Sequence, residues 1–253
     1  HLEVDILIAG GGLVGGSLAV GLVEGGFSVA VVDSLSPKEI VAAGFDGRAA
    51  AIALSSKKVL DGLGLWEKIE PDASPIKEIR VSDANSLFFL HFDRKDVGTE
   101  AFGYMVENRS FRKSLLSRFH MYEQLTLLAP NKITHIERRS VNVQATLADG
   151  NKVKAKLIVG AEGRCSPTRD MAEIKLTSWP YKQSGIVCTV AHELSHDNVA
   201  HEHFLPAGPF AILPLPNNHS SIVWTEREDL VEQIMALNEV DFLIELKKRF
   251  GDF

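Results

Sequence analysis

A glycine-rich turn near the N-terminus constrains the fold of this chain more than any other feature. An apolar and largely β-branched run at 4–9 predicts a buried parallel strand, and three glycines follow it. Gly10 permits a tight turn, Gly12 lets a pyrophosphate approach the backbone, and Gly15 lets the next helix pack close to the strand. The spacing predicts a dinucleotide-binding strand–turn–helix unit, with its helix at 13–25.

An acidic residue completes this pattern. A second apolar run at 27–32 predicts the neighbouring strand, and Asp33 stands at its end. A carboxylate there accepts hydrogen bonds from both hydroxyls of an adenosine ribose and repels a 2′-phosphate. We therefore expect FAD or NAD, rather than NADP, at the turn. The alternative, a glycine-rich turn without a ligand, leaves the three glycines and Asp33 unexplained.

Composition argues against several classes of function. The net charge is −6 and the sequence contains no basic run, so no nucleic-acid partner is expected. Cys165 and Cys188 have neither the spacing of a metal site nor that of a disulfide framework. The histidines within 192–203 are interpreted as ordinary strand residues, and no metal site is predicted. No run approaches the roughly 20 apolar residues of a membrane span, and we expect a cytoplasmic protein.

Elements farther along the chain alternate less regularly. Strands at 133–138, 141–147 and 152–159 form a predicted meander, with Asp149-Gly150 as the hairpin turn between the last two. The last of these strands leads into a second glycine-containing segment at 160–169. The other predicted elements are a helix at 48–63, a hairpin at 76–92 turning near 83–85, a strand at 104–106, a helix at 110–121, strands at 186–192, 201–204, 210–215 and 220–225, and helices at 229–237 and 240–250.

Several motifs along the chain together point to a known family. They are the Gly10/Gly12/Gly15 fingerprint and the segments 44–49, 64–66, 106–109, 160–169, 213–215 and 222–224. In this combination the chain resembles the FAD-dependent aromatic-ring hydroxylases. Within that superfamily it is most similar to the ubiquinone-biosynthesis hydroxylases of the 2-polyprenyl-6-methoxyphenol hydroxylase type.

Two departures from the family pattern stand out. The family's second motif reads Asp-Gly, whereas this chain has Glu162-Gly163, whose carboxylate reaches one methylene farther. The third motif, a Gly-Asp pair between a strand and a helix, is absent, and the terminal segment 251–253 is not interpreted as that motif. We therefore expect a C-terminally truncated, inactive form that binds FAD poorly or not at all.

The resemblance implies an α/β fold with two domains. A Rossmann-like FAD-binding domain, with a parallel sheet and a β-meander, is expected over 1–75 and 100–178. An incomplete substrate domain, with a mostly antiparallel sheet that roofs the substrate site, is expected over 76–99 and 179–253. The run at 210–215 is apolar on both faces, which suits a sheet covered on both sides.

The resemblance also implies a reaction. NAD(P)H reduces FAD, the reduced flavin forms a flavin hydroperoxide with O2, and a polyprenylated phenol attacks the distal oxygen. The expected cofactor-binding residues are Gly10, Gly12, Gly15, Asp33, Arg48, Arg109 and Glu162. No catalytic residue is singled out.

Structural alternatives remain open for four of the polar residues. If Arg48 does not bind the cofactor, it is a solvated arginine. If Arg109 does not, it forms a surface ion pair with Glu107 or another neighbour. The alternative for Glu162 is a loop residue without a ligand. Arg169 either holds the Glu162 loop or meets nicotinamide-cofactor phosphates, and an ion pair with Glu162 is an equal alternative.

Two other functions fit the same fold. One is a different flavoenzyme, such as an epoxidase, halogenase or prenyl reductase. The other is a non-catalytic escort protein that binds prenylated partners without flavin, and the 162–169 motif disfavours it. The expected partners are a polyprenyl phenol and O2, together with peripheral contact at the inner membrane and association with other ubiquinone-biosynthesis enzymes. The ring position, prenyl length and choice between NADH and NADPH stay open.

Overall fold

The chain forms two units in a computed structural model that describes residues 2–44, 46–84 and 86–250. Unit 1 comprises His1–Phe45, Lys58–Pro71 and Asn108–Thr177. Unit 2 comprises Asp46–Lys57, Asp72–Glu107 and Ser178–Phe253. Strands and helices are numbered below in chain order.

Unit 1 contains the predicted dinucleotide-binding elements. They are β1 (Leu2–Ala9), α1 (Leu13–Glu24), β2 (Val29–Val32), α2 (Pro37–Ala42), α4 (Trp66–Ile69), α6 (Asn108–Phe119), β8 (Leu125–Leu128), β9 (Ile133–Arg138), β10 (Val143–Leu147), β11 (Lys152–Gly160) and α7 (Pro167–Met171). Helix α3 (Leu54–Gly62) and a short 3-10 helix (Glu70–Asp72) lie where the chain passes between the units.

The sheet of unit 1 combines parallel and antiparallel pairing. Its strand order is β8-β2-β1-β11-β10-β9. Strands β8, β2, β1 and β11 pair in parallel, whereas β9, β10 and β11 form an antiparallel meander. Every residue of β2 is buried, as expected for a parallel strand covered on both faces. The predicted α/β class is confirmed, and a parallel sheet with a meander is what unit 1 contains.

Unit 2 is built mainly from strands. They are β3 (Ala49–Ala53), β4 (Ala73–Ile76), β5 (Glu78–Asp83), β6 (Phe89–Asp93), β7 (Gly103–Glu107), β12 (Gln183–Ala191), β13 (Val199–Leu205), β14 (Gly208–Leu215) and β15 (His219–Arg227). Its helices are α5 (Arg94–Val97), α8 (Glu228–Met235) and α9 (Glu239–Phe250).

Two sheets form unit 2. The larger has the order β12-β15-β14-β13-β5-β6, and its pairs are antiparallel except for β13 with β5. Ile234 of α8 and Leu246 of α9 pack against Phe210 and Trp224 on one face of this sheet. The smaller sheet has the order β3-β7-β4. The mostly antiparallel second sheet matches the sequence prediction.

The helix predicted at 48–63 is wrong in its first part. Residues 49–53 form β3, which pairs antiparallel with β7, and the helix begins only at Leu54. Alanine favours helices intrinsically, but pairing with a strand more than fifty residues away overrides that weak preference here.

The smaller sheet also shifts the predicted domain boundaries. The expected FAD-binding domain covered 1–75 and 100–178, but its segments 46–57, 72–75 and 100–107 cluster with unit 2. The physical reason is that β3, β4 and β7 lie in these segments and form one sheet within unit 2. The functional assignment of the two domains stays a prediction.

The predicted hairpin at 76–92 corresponds to β5 and β6, which begin later than expected because Ile76 belongs to β4. Asn85 of its turn, Phe45 of the 44–49 motif and the terminal segment 251–253 lie outside the described residues.

Among the described residues, every helix is too short or too polar to span a bilayer.

Candidate functional site

The turn after β1 adopts a conformation that requires glycine. Gly10 has a φ of +99°, and a Cβ placed on it would lie 2.5 Å from the carbonyl oxygen of Ala161. Its N–H donates to the carbonyl of Val32 at 2.8 Å. Both the left-handed backbone and the close approach of the chain exclude any larger residue. The predicted role of Gly10 in a tight turn is consistent with this geometry.

Gly15 and Gly12 serve different purposes in this turn. A Cβ on Gly15 would lie 1.9 Å from the carbonyl oxygen of Gly10, so the bare Gly15 backbone lets α1 lie directly on the turn. A Cβ on Gly12 would meet nothing within 4 Å. Gly12 is the N-cap of α1 and supplies no side-chain cap. The N-terminal N–H groups of α1 therefore adjoin open space, as an anion-binding helix end requires.

Asp33 is held in place by the main chain. Its side chain is buried and accepts hydrogen bonds from the N–H of Gly11 at 2.7 Å and the N–H of Leu35 at 2.8 Å. These bonds tie the end of β2 to the glycine turn. Each carboxylate oxygen has more than one lone pair, so ribose hydroxyls can still donate to it.

The glycine turn and Asp33 lie in one cleft of about 550 Å³ within unit 1. The cleft is lined mainly by the ends of parallel strands and the loops that follow them, which is where open α/β sheets bind ligands. Its lining residues are Ala9, Gly10, Gly12, Leu13, Val14, Val32, Asp33, Ser34, Leu35, Arg112, Asn131, Lys132, Ile133, Ala161, Glu162, Gly163, Cys165 and Pro167.

Glu162 lines the cleft and also supports the loop behind it. One of its oxygens accepts hydrogen bonds from Ser166 Oγ at 2.7 Å and from the N–H of Thr168 at 2.9 Å. Ser166 in turn caps α7 by accepting from the N–H of Arg169. The acid that replaces the family's aspartate thus reaches across the loop to the start of α7, and this gives Glu162 a structural role beside its predicted one.

Arg169 holds the same loop without touching Glu162. Its guanidinium donates to the carbonyl of Arg164 at 2.8 Å and forms an ion pair with Asp170 at 2.9 Å. The predicted alternative of an ion pair between Arg169 and Glu162 is therefore wrong, because Asp170 is the neighbouring carboxylate.

The other predicted arginines do not line the cleft. Arg109 is the second residue of α6 and is half-buried, directly after β7 as the sequence predicted. Arg48 is exposed, belongs to unit 2, and its N–H donates to Asp46 Oδ1 at 3.0 Å. Of the predicted site residues, the cleft brings together Gly10, Gly12, Asp33 and Glu162, with Gly15 directly behind the turn.

Arg112 lines the cleft, and the sequence interpretation missed it. Helix α6 runs alongside α1 in the same direction, because Leu115 lies beside Gly16 and Arg118 bonds to Glu24 near the end of α1. Arg112, one turn before Leu115, is therefore level with the N-terminus of α1. Within the described part of the chain, no hydrogen bond or ion pair engages its guanidinium. The available signal in the sequence was that Arg112 follows Arg109 by three residues, the spacing of neighbours on one face of a helix.

Lys132 is the second cation that the sequence interpretation missed. It follows β8 by four residues and lines the cleft beside Asn131. The N–H of Asn131 donates to the carbonyl of Asp33 at 2.8 Å, which fixes this loop next to the carboxylate. Strand β8 itself was not predicted, so no signal in the sequence linked Lys132 to Asp33.

The residues of the cleft fit an adenine dinucleotide. Open space at Gly12 admits a pyrophosphate, Arg112 and Lys132 supply positive charge, and Asp33 supplies an acceptor for a ribose. No group of three or more His, Cys, Asp or Glu side chains in the described ranges is arranged to hold a metal ion.

Two of the four histidines within 192–203, His201 and His203, lie in a strand as predicted, whereas His192 and His196 lie in the loop between β12 and β13. His201 and His203 share one face of β13, as predicted, with their rings stacked 6.2 Å apart. Burial lowers the pKa of His201 to about 4, so its imidazole is neutral at pH 7.

Comparison with known proteins is consistent with this geometry. Residues 3–239 match the family described as FAD binding domain. The chain belongs to the FAD binding domain family. FAD is therefore the cofactor of this family, and the predicted membership in an FAD-dependent enzyme family is confirmed.

Two curated relatives illustrate the similarity in sequence. The chain is 50% identical over 248 residues to ubiquinone hydroxylase UbiL of Rhodospirillum rubrum, covering 98% of this chain and 58% of the relative. It is 32% identical over 248 residues to 3-demethoxyubiquinol 3-hydroxylase of Escherichia coli, covering 97% of this chain and 63% of the relative. The chain thus spans about three fifths of the length of these relatives.

Solved structures show the same fold at lower sequence identity. One is p-nitrophenol 4-monooxygenase PnpA from Pseudomonas putida, with a TM-score of 0.79 at 16% identity, covering 99% of this chain and 63% of that chain. Another is PqsL of P. aeruginosa in complex with 2-aminobenzoylacetate, with a TM-score of 0.78 at 21% identity, covering 92% of this chain and 64% of that chain.

Proposed function

We propose that the cleft of unit 1 binds the ADP half of FAD, with the pyrophosphate at Gly12 and the adenosine ribose at Asp33. The observation that carries this proposal is the open space at the Gly12 Cβ position, next to the uncapped N-terminus of α1. Backbone N–H groups at a helix N-terminus bind phosphates because the helix dipole adds positive charge there. Gly10 and Gly15 act indirectly by shaping the turn.

The whole protein, in this proposal, hydroxylates a polyprenylated phenol in ubiquinone biosynthesis and consumes NAD(P)H and O2. The 50% identity to a protein named ubiquinone hydroxylase supports this choice among the flavoenzymes. FAD supplies the redox chemistry when it is bound. The residues of the chain bind the cofactor, orient the aromatic ring and exclude water. Arg48 stays a predicted contact of the FAD ribose or phosphates. Arg109 and Glu162 stay predicted contacts of the flavin side.

Contact with a membrane surface belongs to the same proposal, because a polyprenyl substrate partitions into lipid. Residues at the β5–β6 hairpin support it: Leu87 is 94% exposed, Phe88 85% and Leu90 64%. A cytoplasmic enzyme that touches the inner membrane through such residues would reach its substrate directly, alongside other enzymes of ubiquinone biosynthesis.

Replacing Asp33 by alanine tests the ribose contact. We expect the variant to bind ADP and adenosine more weakly by about 1.5–3 kcal/mol each, the range for hydrogen bonds to a charged group. Titration calorimetry on both ligands measures the change. Because Asp33 also bonds to Gly11 and Leu35, circular dichroism must show that the variant stays folded. An unchanged dissociation constant for adenosine would remove Asp33 from the site.

Replacing Arg112 by alanine tests the phosphate contact separately. We expect about tenfold weaker binding of ADP and no change for adenosine, because the guanidinium bonds to phosphate oxygens alone. The adjacent Lys113, which is exposed and does not line the cleft, gives the matched control Lys113→Ala. Equal ADP affinities for the two variants would contradict the assignment of Arg112.

A further inference from the structure

A single acidic side chain interrupts an otherwise apolar row across the large sheet of unit 2. Glu202 in β13 is paired with Val81 of β5 and with Ala211 of β14. Paired residues of neighbouring strands share a face of the sheet. From one edge of the sheet to the other, this row reads Leu90, Val81, Glu202, Ala211, Val223 and Val187.

Helices α8 and α9 cover the opposite face of the sheet. The core beneath these helices contains Phe210, Ile222 and Trp224, whose positions alternate with those of Ala211 and Val223 along β14 and β15. Side chains of successive strand residues point to opposite faces. The Glu202 row therefore lies on the face that α8 and α9 leave uncovered.

The smaller sheet covers only one end of the Glu202 face. Ile76 of β4 and Met105 of β7 pack against Ala200 and Leu215, which lie on this face. Beyond that contact, Val187 is 46% exposed and Phe204 48% exposed. Exposed apolar side chains of this kind often mark a place where an apolar ligand or partner binds.

Glu202 itself is half-buried among apolar neighbours. Burial raises the pKa of its carboxyl, and no side chain or N–H of the described residues donates a hydrogen bond to it. A partly desolvated carboxylate without a donor has lost hydrogen bonds to water that nothing in this unit replaces. A ligand with one O–H group and an apolar body would restore them.

We propose that Glu202 accepts a hydrogen bond from the phenolic O–H of the substrate, whose ring lies on the apolar row around it. The inference deepens the proposed function, because that function supplies the phenol. An apolar surface with one placed polar group fixes the orientation of a small ligand, since only one edge of the ring can bond. Glu202 is thereby assigned as a substrate-binding residue.

A pair of probes that differ only in the O–H group tests this assignment. The purified chain is titrated with para-butylphenol and with its methyl ether, para-butylanisole, and binding is measured by calorimetry. We expect the wild-type protein to prefer the phenol about tenfold or more, since the hydrogen bond involves a charged acceptor. In Glu202→Ala the preference falls to about one, while the ether binds as before.

Two further variants sharpen the result. Glu202→Gln keeps an acceptor oxygen without the charge, so it should retain a reduced preference for the phenol. Glu193→Ala removes an exposed carboxylate in the loop after β12 and should change neither affinity. Thermal unfolding of each variant verifies that the sheet is intact.

The outcomes separate this inference from the proposed function. If both probes bind and Glu202→Ala keeps the full preference for the phenol, the assignment of Glu202 is overturned and the proposed function stands. If the wild-type protein binds neither probe, the role of Glu202 is overturned, and the proposed function is judged separately by the ADP titrations. A loss of preference in Glu202→Ala alone supports the inference.

Discussion

Replacing Gly12 by valine is expected to abolish ADP binding, with an affinity loss of at least about a hundredfold. The valine side chain would occupy the space in front of the α1 N-terminus, where a Cβ meets nothing within 4 Å. Gly12 has a φ of −67°, so valine can adopt this backbone without strain. The loss of binding should therefore come without a loss of folding, which calorimetry and circular dichroism together can show.

The neighbouring glycines would make poorer tests. Valine at Gly15 would collide with the carbonyl of Gly10, and valine at Gly10 would require a left-handed backbone. Both changes would damage the turn itself. Gly62 at the end of α3 offers the matched control, since a Cβ there also meets nothing within 4 Å. Gly62→Val should bind ADP normally, and normal binding by Gly12→Val would refute the site.

Replacing Arg249 by alanine is expected to destabilise unit 2 by about 3–5 kcal/mol, the cost of leaving a buried charge unpaired. Arg249 forms an ion pair at 3.1 Å with Glu226, whose side chain is only 4% exposed. The guanidinium also lies 4.2 Å from the ring centroid of Trp224. Alanine removes both contacts, and the Glu226 carboxylate stays buried.

Urea unfolding followed by tryptophan fluorescence measures this loss, because Trp224 lies within the affected cluster. Arg227→Ala is the matched control. Its ion pair with Asp229 has a shorter distance, 2.6 Å, but both side chains are at least 60% exposed. We expect that control to cost no more than about 1 kcal/mol, since water screens exposed pairs. Equal losses in the free energy of unfolding for both variants would show that burial does not determine how much the Arg249–Glu226 pair contributes to stability.

The parts of the fold that the sequence predicted correctly are those set by local spacing. Strand β1, the glycine turn, helix α1 and Asp33 follow one another within about thirty residues, and each places the next. Likewise, Asp149-Gly150 determines the hairpin of β10 and β11, where Gly150 has a φ of +84°. Short-range turn chemistry of this kind is visible without the rest of the chain.

The parts that were missed depend on distant partners. The alanine-rich β3 is a strand only because β7 pairs with it, and β8 is four residues long and has no period of its own. Arg112 reaches the cleft because α6 packs beside α1, and Glu202 stands out only when the register of the large sheet is known. Such juxtapositions have no signature in a single sequence.

The two main-chain bonds to Asp33 also bear on how the nucleotide preference of this protein could be re-engineered. The usual route to a phosphorylated ribose exchanges the acid for a neutral or basic side chain. Here that exchange would simultaneously release the N–H groups of Gly11 and Leu35, which only this carboxylate satisfies among the described residues. A successful redesign would need a second substitution that re-anchors the loop.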